Sequence, residues 1–374
     1  MVQAVSLEYY VPVRKEKRGR PRKNKSRGKA GTGCFPLAVQ LGVIAHASPS
    51  LAEEVVLECL KDSYAEATVA LARKGISMSW TRVQRIVNSV GARGIERREH
   101  SILNVERNAI ARGKRLAVTL DGGRVLTRKV KGGKRLESGR HGYDAEWHEP
   151  KLFLIYELDE KGRKARKGFQ RCGGTMEGPD KLIELLVAEL KAIGADEAEC
   201  VAFLGDGAKW IWNRIDQIAE EAGIGRERIR TCLDYYHAVE HLSVIAQAYP
   251  FGSAKGQQKW LRRMKKLLLE TTPDAFIGEL CKYRRKRSST IRREIQYFKT
   301  NRSAIGYAAT RGEKLPIGSG SIESAVRRVV NLRIKGAGIF WKMENVEQFM
   351  HMRCQLKTGN WGRFFNELLY ANAN

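Results

Sequence analysis

Three carboxylates stand where a fold could bring them together: Asp121 in RLAVTLDGGR, Asp206 in ECVAFLGDGAKWIW and Glu323 in PIGSGSIESAVRR. Each aspartate closes a short apolar run and is followed by glycine, which is typical of the end of a β-strand. Carboxylate oxygens are hard ligands that select magnesium or manganese over zinc. Two such ions, held about 3.5–4 Å apart, can activate water and stabilise the charge that develops in phosphodiester cleavage. These residue types and positions predict a catalytic site for two Mg²⁺ or Mn²⁺ ions.

The chain around these carboxylates is strongly basic. Its 374 residues include 68 Lys and Arg against 41 Asp and Glu, a formal net charge of +27. Such an excess favours a polyanionic partner, and double-stranded DNA is the first candidate. No apolar run reaches the roughly 18 residues of a membrane-spanning helix, and no signal-peptide pattern opens the sequence. We therefore expect no membrane contact and a cytoplasmic, nucleoid-associated protein.

A basic tail opens the sequence. Residues 14–29 carry ten Lys and Arg and almost no apolar side chain, so residues 1–30 are predicted to be disordered. The segment RGRP within it resembles an AT-hook, whose arginines enter the minor groove of A·T-rich DNA. A generic phosphate-neutralising tail is the alternative. In both cases Arg18, Arg20 and Arg22 are predicted to bind DNA.

Residues 31–112 have a helical pattern that ends in two glycine stops, KG and SVG. Three short helices with a tight turn before the last favour a helix-turn-helix DNA-binding domain, although a plain helical bundle fits the same pattern. In the first interpretation, the last helix presents polar side chains to the major groove, namely Ser79, Thr81, Arg82, Gln84 and Arg85.

Residues 113–234 alternate between strand and helix patterns. The runs RLAVTLD, RVLTRKVK and KLFLIYEL predict three strands, with a Gly-rich loop before the third. A helix, the strand ECVAFLGD, a second helix and the strand RIRTCLD follow. This order predicts a mixed sheet in which Asp121 closes the first strand and Asp206 the fourth.

The remaining residues are predicted to be mainly helical. Residues 235–312 read as a basic helical insertion with interleaved aromatic residues, and 313–345 return to the core with the helix SIESAVRRVVNLRIKG. Ser321 is the expected N-cap, which places Glu323 in the first turn. Residues 346–374 form a C-terminal helical segment. Basic side chains predicted to contact DNA in these segments, where a solvated surface is the alternative, are Arg284, Arg285, Lys286, Arg287, Arg333 and Lys335.

Four segments, LDGGRV, LGDGAKWIW, LDYYH and GSGSIESAVRRVVNLRIKGAGIFW, together resemble the DDE transposases of bacterial insertion sequences, nearest to the Kra-type group. The resemblance extends from about Gly31 to Trp361. It implies an α/β, RNase H-like core with a mixed sheet, interrupted by an all-helical insertion and preceded by the small helical DNA-binding domain. It also implies metal-dependent DNA cleavage and strand transfer, with Asp121, Asp206 and Glu323 as the catalytic triad.

Several further roles follow from the resemblance. The DYYH element is similar to a DxxH signature, which makes Asp234 and His237 partners of the metal cluster or contacts to DNA phosphate; a capped helix start is the alternative for Asp234. Arg124, just past Asp121, is expected to contact the scissile phosphate, with a solvated hairpin as the alternative, and Arg327 is expected beside the metal cluster or at a DNA phosphate. Trp147, His148 and Glu149 resemble a motif of the family, and a loop packed by the tryptophan is the alternative. Trp341 either stacks on DNA or anchors the end of the last segment.

The sequence thus predicts a DNA transposase that acts as a dimer or larger homo-oligomer, because two DNA ends must be held together. Two other functions remain open. One is a two-metal nuclease that cuts DNA without rejoining it, and the other is a domesticated protein that only binds DNA.

Overall fold

The computed structural model describes residues 36–132, 137, 139, 141–285, 288–336 and 338–370. The described residues up to Arg97 and those from Asn360 onward form one compact unit, and Arg98–Gly359 forms the other. The six segments predicted from the sequence stay a prediction. The AT-hook-like arginines and the pair Lys286 and Arg287 lie outside the described residues.

The first unit is helical. Ser48 and Ser63 supply the N-caps of two of its helices, and the second is a capping box with Glu66. The sequence predicted a helix end at Gly91, but the fourth helix continues to Leu103. That prediction was wrong because one glycine costs a helix only about 1 kcal/mol, and the residues after Gly91 are mostly good helix formers. The helices are α1 (Pro36–Gln40), α2 (Pro49–Cys59), α3 (Tyr64–Arg73), α4 (Trp80–Leu103) and α15 (Trp361–Tyr370).

A five-stranded mixed sheet forms the centre of the second unit. The strand order is β5-β4-β1-β6-β7, with β4 antiparallel to both β1 and β5, and with β1, β6 and β7 parallel. The predicted mixed sheet is confirmed, and its order is compatible with the RNase H-like core that the resemblance implies. The strands of this sheet are β1 (Arg115–Gly122), β4 (Lys151–Glu157), β5 (Gln170–Thr175), β6 (Cys200–Gly205) and β7 (Ile229–Leu233).

Two strands differ from the sequence prediction. The run RVLTRKVK forms β2 (Val125–Val130), which pairs with β3 (Tyr143–His148) in a separate two-stranded sheet and not in the central one. The strand that completes the central sheet, at its edge beside β4, is instead β5, which the sequence analysis missed because its glycines lower strand propensity. Those glycines make room for neighbours: a Cβ at Gly173 would lie 2.5 Å from the Phe153 ring.

Helices cover the sheet and continue beyond it. An apolar core forms where α5 and α7 pack on the sheet, and α14 packs against β5. Among the described residues between Tyr235 and Gly312 there are helices and no strand. No helix in the described part of the chain is long and apolar enough to cross a membrane. The helices of this unit are α5 (Pro179–Ile193), α6 (Lys209–Trp212), α7 (Ile215–Glu221), α8 (Tyr235–Ala248), α9 (Ala254–Glu270), α10 (Pro273–Cys281), α11 (Ser289–Thr300), α12 (Tyr307–Gly312), α13 (Gly320–Val326) and α14 (Met343–Lys357).

Candidate functional site

The register of the parallel strands brings three aspartates to one edge of the sheet. Thr119 of β1 pairs with Leu204 of β6, so continuing the register by two residues sets Asp121 level with Asp206. Gly205 of β6 pairs with Leu233 of β7, which sets Asp206 level with Asp234. The carboxyl ends of neighbouring parallel strands are where α/β proteins bind ligands.

Backbone amides hold the first two carboxylates in place. Asp121 Oδ1 accepts a hydrogen bond of 2.6 Å from the amide of Gly122, and Asp206 Oδ1 accepts one of 2.9 Å from the amide of Ala208. Both aspartates are partly exposed. Their remaining oxygens have no hydrogen-bond donor among the described contacts, so each aspartate can still offer a ligand atom.

The loop after Asp206 is held by the helical segment. Tyr297 of α11 donates a hydrogen bond of 2.9 Å to the backbone carbonyl of Asp206. Its ring stacks on His241 of α8 with centroids 3.5 Å apart, and His241 is paired with the buried carboxylate of Glu294. Gly207 has a φ of +91° and a Cβ there would lie 3.2 Å from the Tyr297 ring, so this close contact favours glycine.

Asp234 is fully buried and its two oxygens accept four hydrogen bonds. Oδ1 accepts from the amides of Tyr236 and His237 and thereby caps α8. Oδ2 accepts from the amide of Ser319 at 2.5 Å and from its hydroxyl. Asp234 therefore ties the start of α8 to the start of α13, the helix that carries Glu323. Asp234 is thus the N-cap of α8, which is the alternative that the sequence offered for this residue.

Glu323 lies in the first turn of α13, as the sequence predicted. The N-cap is Ser319 and not Ser321, because the helix already begins at Gly320. A π-helical turn, Arg327–Asn331, follows α13 directly. Such turns occur often at functional sites.

The charged groups of this edge act on one another. Burial raises the pKa of Asp121; the charges of Asp206 and Glu323 add to this, while the Gly122 amide and His237 oppose it. The Asp234 carboxylate raises the pKa of His237 to about 9. His237 Nδ1 lies 3.7 Å from Asp234 Oδ1, too far for a hydrogen bond, so the two form an ion pair. The site is thus a cluster of mutually repelling carboxylates beside one imidazolium.

Ligand atoms of Asp234, His237 and Glu323 all lie within 4.8 Å of one another, and such a group could hold a metal ion. Burial alone would raise the pKa of Asp234, but His237 and the hydrogen bonds from Ser319 outweigh it and hold this pKa well below its usual range. Because its oxygens already accept four donors, Asp234 is poorly suited to be a ligand itself. Asp121 and Asp206 are not part of this group, so their ligand atoms do not all lie within the same distance of one another and of Glu323. A divalent cation beside Asp121 would relieve the repulsion that it feels from Asp206 and Glu323.

Arg124 and Lys335 line a polar cavity of about 410 Å³ next to Gly122, together with Glu149 and Asn331. The cavity is open enough for a phosphate group, and the two basic side chains suit one. Most of the other basic residues expected to contact DNA are exposed: Arg82, Arg85, Arg284, Arg285 and Arg327. Gln84 is partly exposed.

Arg333 differs from expectation. Its side chain is buried, with the guanidinium carbon 5.1 Å from the ring centres of both Trp341 and Phe349. This burial is at odds with a DNA contact, and we leave Arg333 out of the proposed interface. Trp341 is also buried and donates a hydrogen bond to the carbonyl of Ile334, so it anchors the end of this segment.

Sequence reasoning missed two residues that shape the site, Ser319 and Tyr297. Ser319 belongs to the GSGS turn before α13, where a serine next to a helix start was the available signal. Tyr297 is one of the aromatic residues interleaved in the basic helical segment 235–312. Nothing local in the sequence indicates its contact with Asp206.

Comparisons with known proteins add little to this geometry. No protein-family model matches the chain, and no curated protein matches it. Among solved structures, the chain is similar to one in the Drosophila P element transposase strand transfer complex, with 13% identity and a TM-score of 0.25. The similarity covers 87% of this chain and 81% of that one. A TM-score this low does not establish a common fold.

Proposed function

We propose that the protein is a DDE-type DNA transposase with an RNase H-like core, in which Asp121, Asp206 and Glu323 hold two divalent metal ions. One observation carries the proposal: strand register sets Asp121 level with Asp206, and the charge of Glu323, from a distant part of the chain, acts on Asp121. Bound Mg²⁺ would supply Lewis-acid stabilisation of the phosphate and an activated hydroxyl nucleophile.

The other residues have supporting roles in this proposal. Asp234 positions the helix that carries Glu323, and His237 provides a positive charge beside the carboxylates. Arg124 and Lys335 would bind a DNA phosphate in the cavity beside Gly122. The exposed arginines of α4 and of the segment after α10 would bind the DNA backbone.

A cleavage and joining assay tests the proposal. The substrate is labelled duplex DNA made from the sequences that flank the gene, incubated with the full-length protein and Mg²⁺. We expect cleavage at the ends and covalent joining of the 3′ ends to a target plasmid. Cleavage without joined product would favour the nuclease alternative, and binding without cleavage would favour the domesticated DNA-binding protein.

Two variants separate site chemistry from general damage. Asp206→Asn is expected to abolish cleavage and joining while retaining DNA binding. Asp216→Asn makes the same chemical change at an exposed position, where the side chain is 74% exposed, and should behave as wild type. Cleavage by Asp206→Asn at the wild-type rate would refute the assignment.

A further inference from the structure

The β2–β3 hairpin presents an exposed aromatic face close to the carboxylates. Paired residues in antiparallel strands place their side chains on the same side of the sheet. In this hairpin, Trp147 is 57% exposed, Val130 52% and Tyr143 42%. We call this side the hairpin face; it consists of Leu126, Arg128, Val130, Tyr143, Ala145 and Trp147.

The hairpin face is held in a fixed position. One edge of β2 pairs with β3, and on the other edge the amide of Arg128 donates to the carbonyl of Trp341 at 2.7 Å. On the opposite side of the hairpin, Val125 and Thr127 are buried. The exposed aromatic side chains therefore stand on a backbone that is hydrogen-bonded at both edges of β2 and packed on its other side where β2 begins.

The hairpin lies close to the proposed chemistry. Leu126, the partner of Trp147, is five residues beyond Asp121, and an extended chain of that length spans at most about 18 Å. A cross-strand pair adds about 5 Å. Trp147 is therefore within about 23 Å of Asp121, a distance covered by roughly seven nucleotides at 3.4 Å each. The cavity with Arg124 and Lys335 adjoins the start of β2.

The chemistry of the hairpin face favours nucleic acid. Arg128 is the one charged side chain on this face, and its guanidinium carbon lies 6.0 Å from the Tyr143 ring centre. Residues 124–148 carry seven Lys and Arg against three Asp and Glu. A second copy of this chain would bury Arg128 against an apolar surface of the same kind, without a carboxylate to pair with it. A base can stack on the aromatic rings while its phosphate pairs with the arginine.

We propose that the hairpin face binds unpaired bases of a DNA strand whose phosphate backbone enters the carboxylate site. The bases must be unpaired because the faces of paired bases are covered by their neighbours in the duplex. Trp147 provides the main stacking surface. This proposal rests on the proposed function, since it assumes that DNA reaches Asp121.

Binding experiments without divalent metal test this proposal without requiring cleavage. Two probes share one sequence: a fully paired duplex, and the same duplex with an unpaired end of about seven nucleotides that contains 2-aminopurine. We expect wild type to prefer the unpaired end, and Trp147→Ala to reduce that preference at least about 5-fold, because a stacked base contributes this much or more. Trp147→Phe should retain most of the preference and most of the quenching of 2-aminopurine fluorescence.

Val69→Ala is the control, because Val69 is an apolar side chain that is 54% exposed but lies on α3, away from the residues proposed to bind DNA. Its preference for the unpaired end should equal that of wild type. If Trp147→Ala binds both probes as wild type does, the hairpin proposal is wrong and the proposed function stands. A smaller oligomer for Trp147→Ala, with unchanged DNA preference, would mean that the face is a protein interface and would also overturn the proposal. Failure of wild type to bind either probe would overturn both proposals.

Discussion

Replacing Asp234 tests whether its carboxylate holds the starts of α8 and α13 together or binds a metal ion. Four hydrogen bonds converge on this fully buried carboxylate. A hydrogen bond to a charged group contributes about 1.5–3 kcal/mol, and such contributions are not additive within one cluster. We expect Asp234→Ala to lower the free energy of unfolding by about 4 kcal/mol, because buried donors lose their acceptor.

Asp234→Asn is the more informative change because it keeps the size of the side chain. The amide oxygen can still accept from Tyr236 and His237, but the amide nitrogen then faces the N–H of Ser319, another donor. We expect a loss of about 2 kcal/mol. The local consequence is faster hydrogen exchange of the Tyr236, His237 and Ser319 amides, by roughly 30-fold.

Urea unfolding and hydrogen exchange, both without divalent metal, measure these effects. Asp216→Asn is the control and should change the free energy of unfolding by less than about 0.5 kcal/mol. A metal ligand would behave in the opposite way: replacing it with asparagine relieves repulsion and leaves the metal-free protein equally or more stable. If Asp234→Asn has the stability and the amide hydrogen-exchange rates of wild type, Asp234 does not hold α8 and α13 together.

Two further predictions concern side chains outside the carboxylate cluster. Tyr297→Phe removes the hydrogen bond to the Asp206 carbonyl and should slow DNA cleavage about 5-fold or more with little change in DNA affinity; wild-type kinetics would contradict this positioning role. Burial lowers the pKa of His351 to about 3, below its ordinary value, so the unfolded chain binds this proton first as the pH falls. The stability that neutral His351 provides is present above about pH 6.5 and is lost toward pH 3, by about 2 kcal/mol between pH 6.5 and 5. Urea unfolding of His351→Gln should show a flatter pH dependence than wild type in this range, and an equal slope would contradict the prediction.

The parts of the fold that were predictable from sequence are those with strong local patterns. The strands β1, β4 and β6 are nearly continuous apolar runs, because both faces of these central strands are buried. β5 contains two glycines and β3 is mostly exposed, so neither shows such a pattern. The position of β2 was wrong because alternation identifies a strand but not the sheet to which it belongs.

In the candidate site, too, the residues with a local sequence pattern were predictable and those placed by long-range contacts were not. Asp121 and Asp206 were recognisable because Asp121 lies at the carboxyl end of its strand and Asp206 directly follows its own, and parallel register then sets them level. The contacts of Ser319 with Asp234 and of Tyr297 with Asp206 span 85 and 91 residues of sequence. Contacts at such separation depend on how helices pack, which local periodicity does not encode. The burial of Arg333 between the rings of Trp341 and Phe349 was also not visible in the sequence, because those rings come from the next turn and helix and reach it only through packing.

Binding of Mn²⁺, followed by electron paramagnetic resonance of the free ion, tests the central claim most directly. The claim is that Asp121, Asp206 and Glu323 together hold the metal. We expect Asp121→Asn, Asp206→Asn and Glu323→Gln each to weaken Mn²⁺ binding at least about tenfold, which corresponds to about 1.4 kcal/mol. Asp216→Asn should bind as wild type. Wild-type Mn²⁺ affinity in Glu323→Gln would contradict the account. It would show that Glu323 is not a metal ligand, and two aspartates alone would be left for the site.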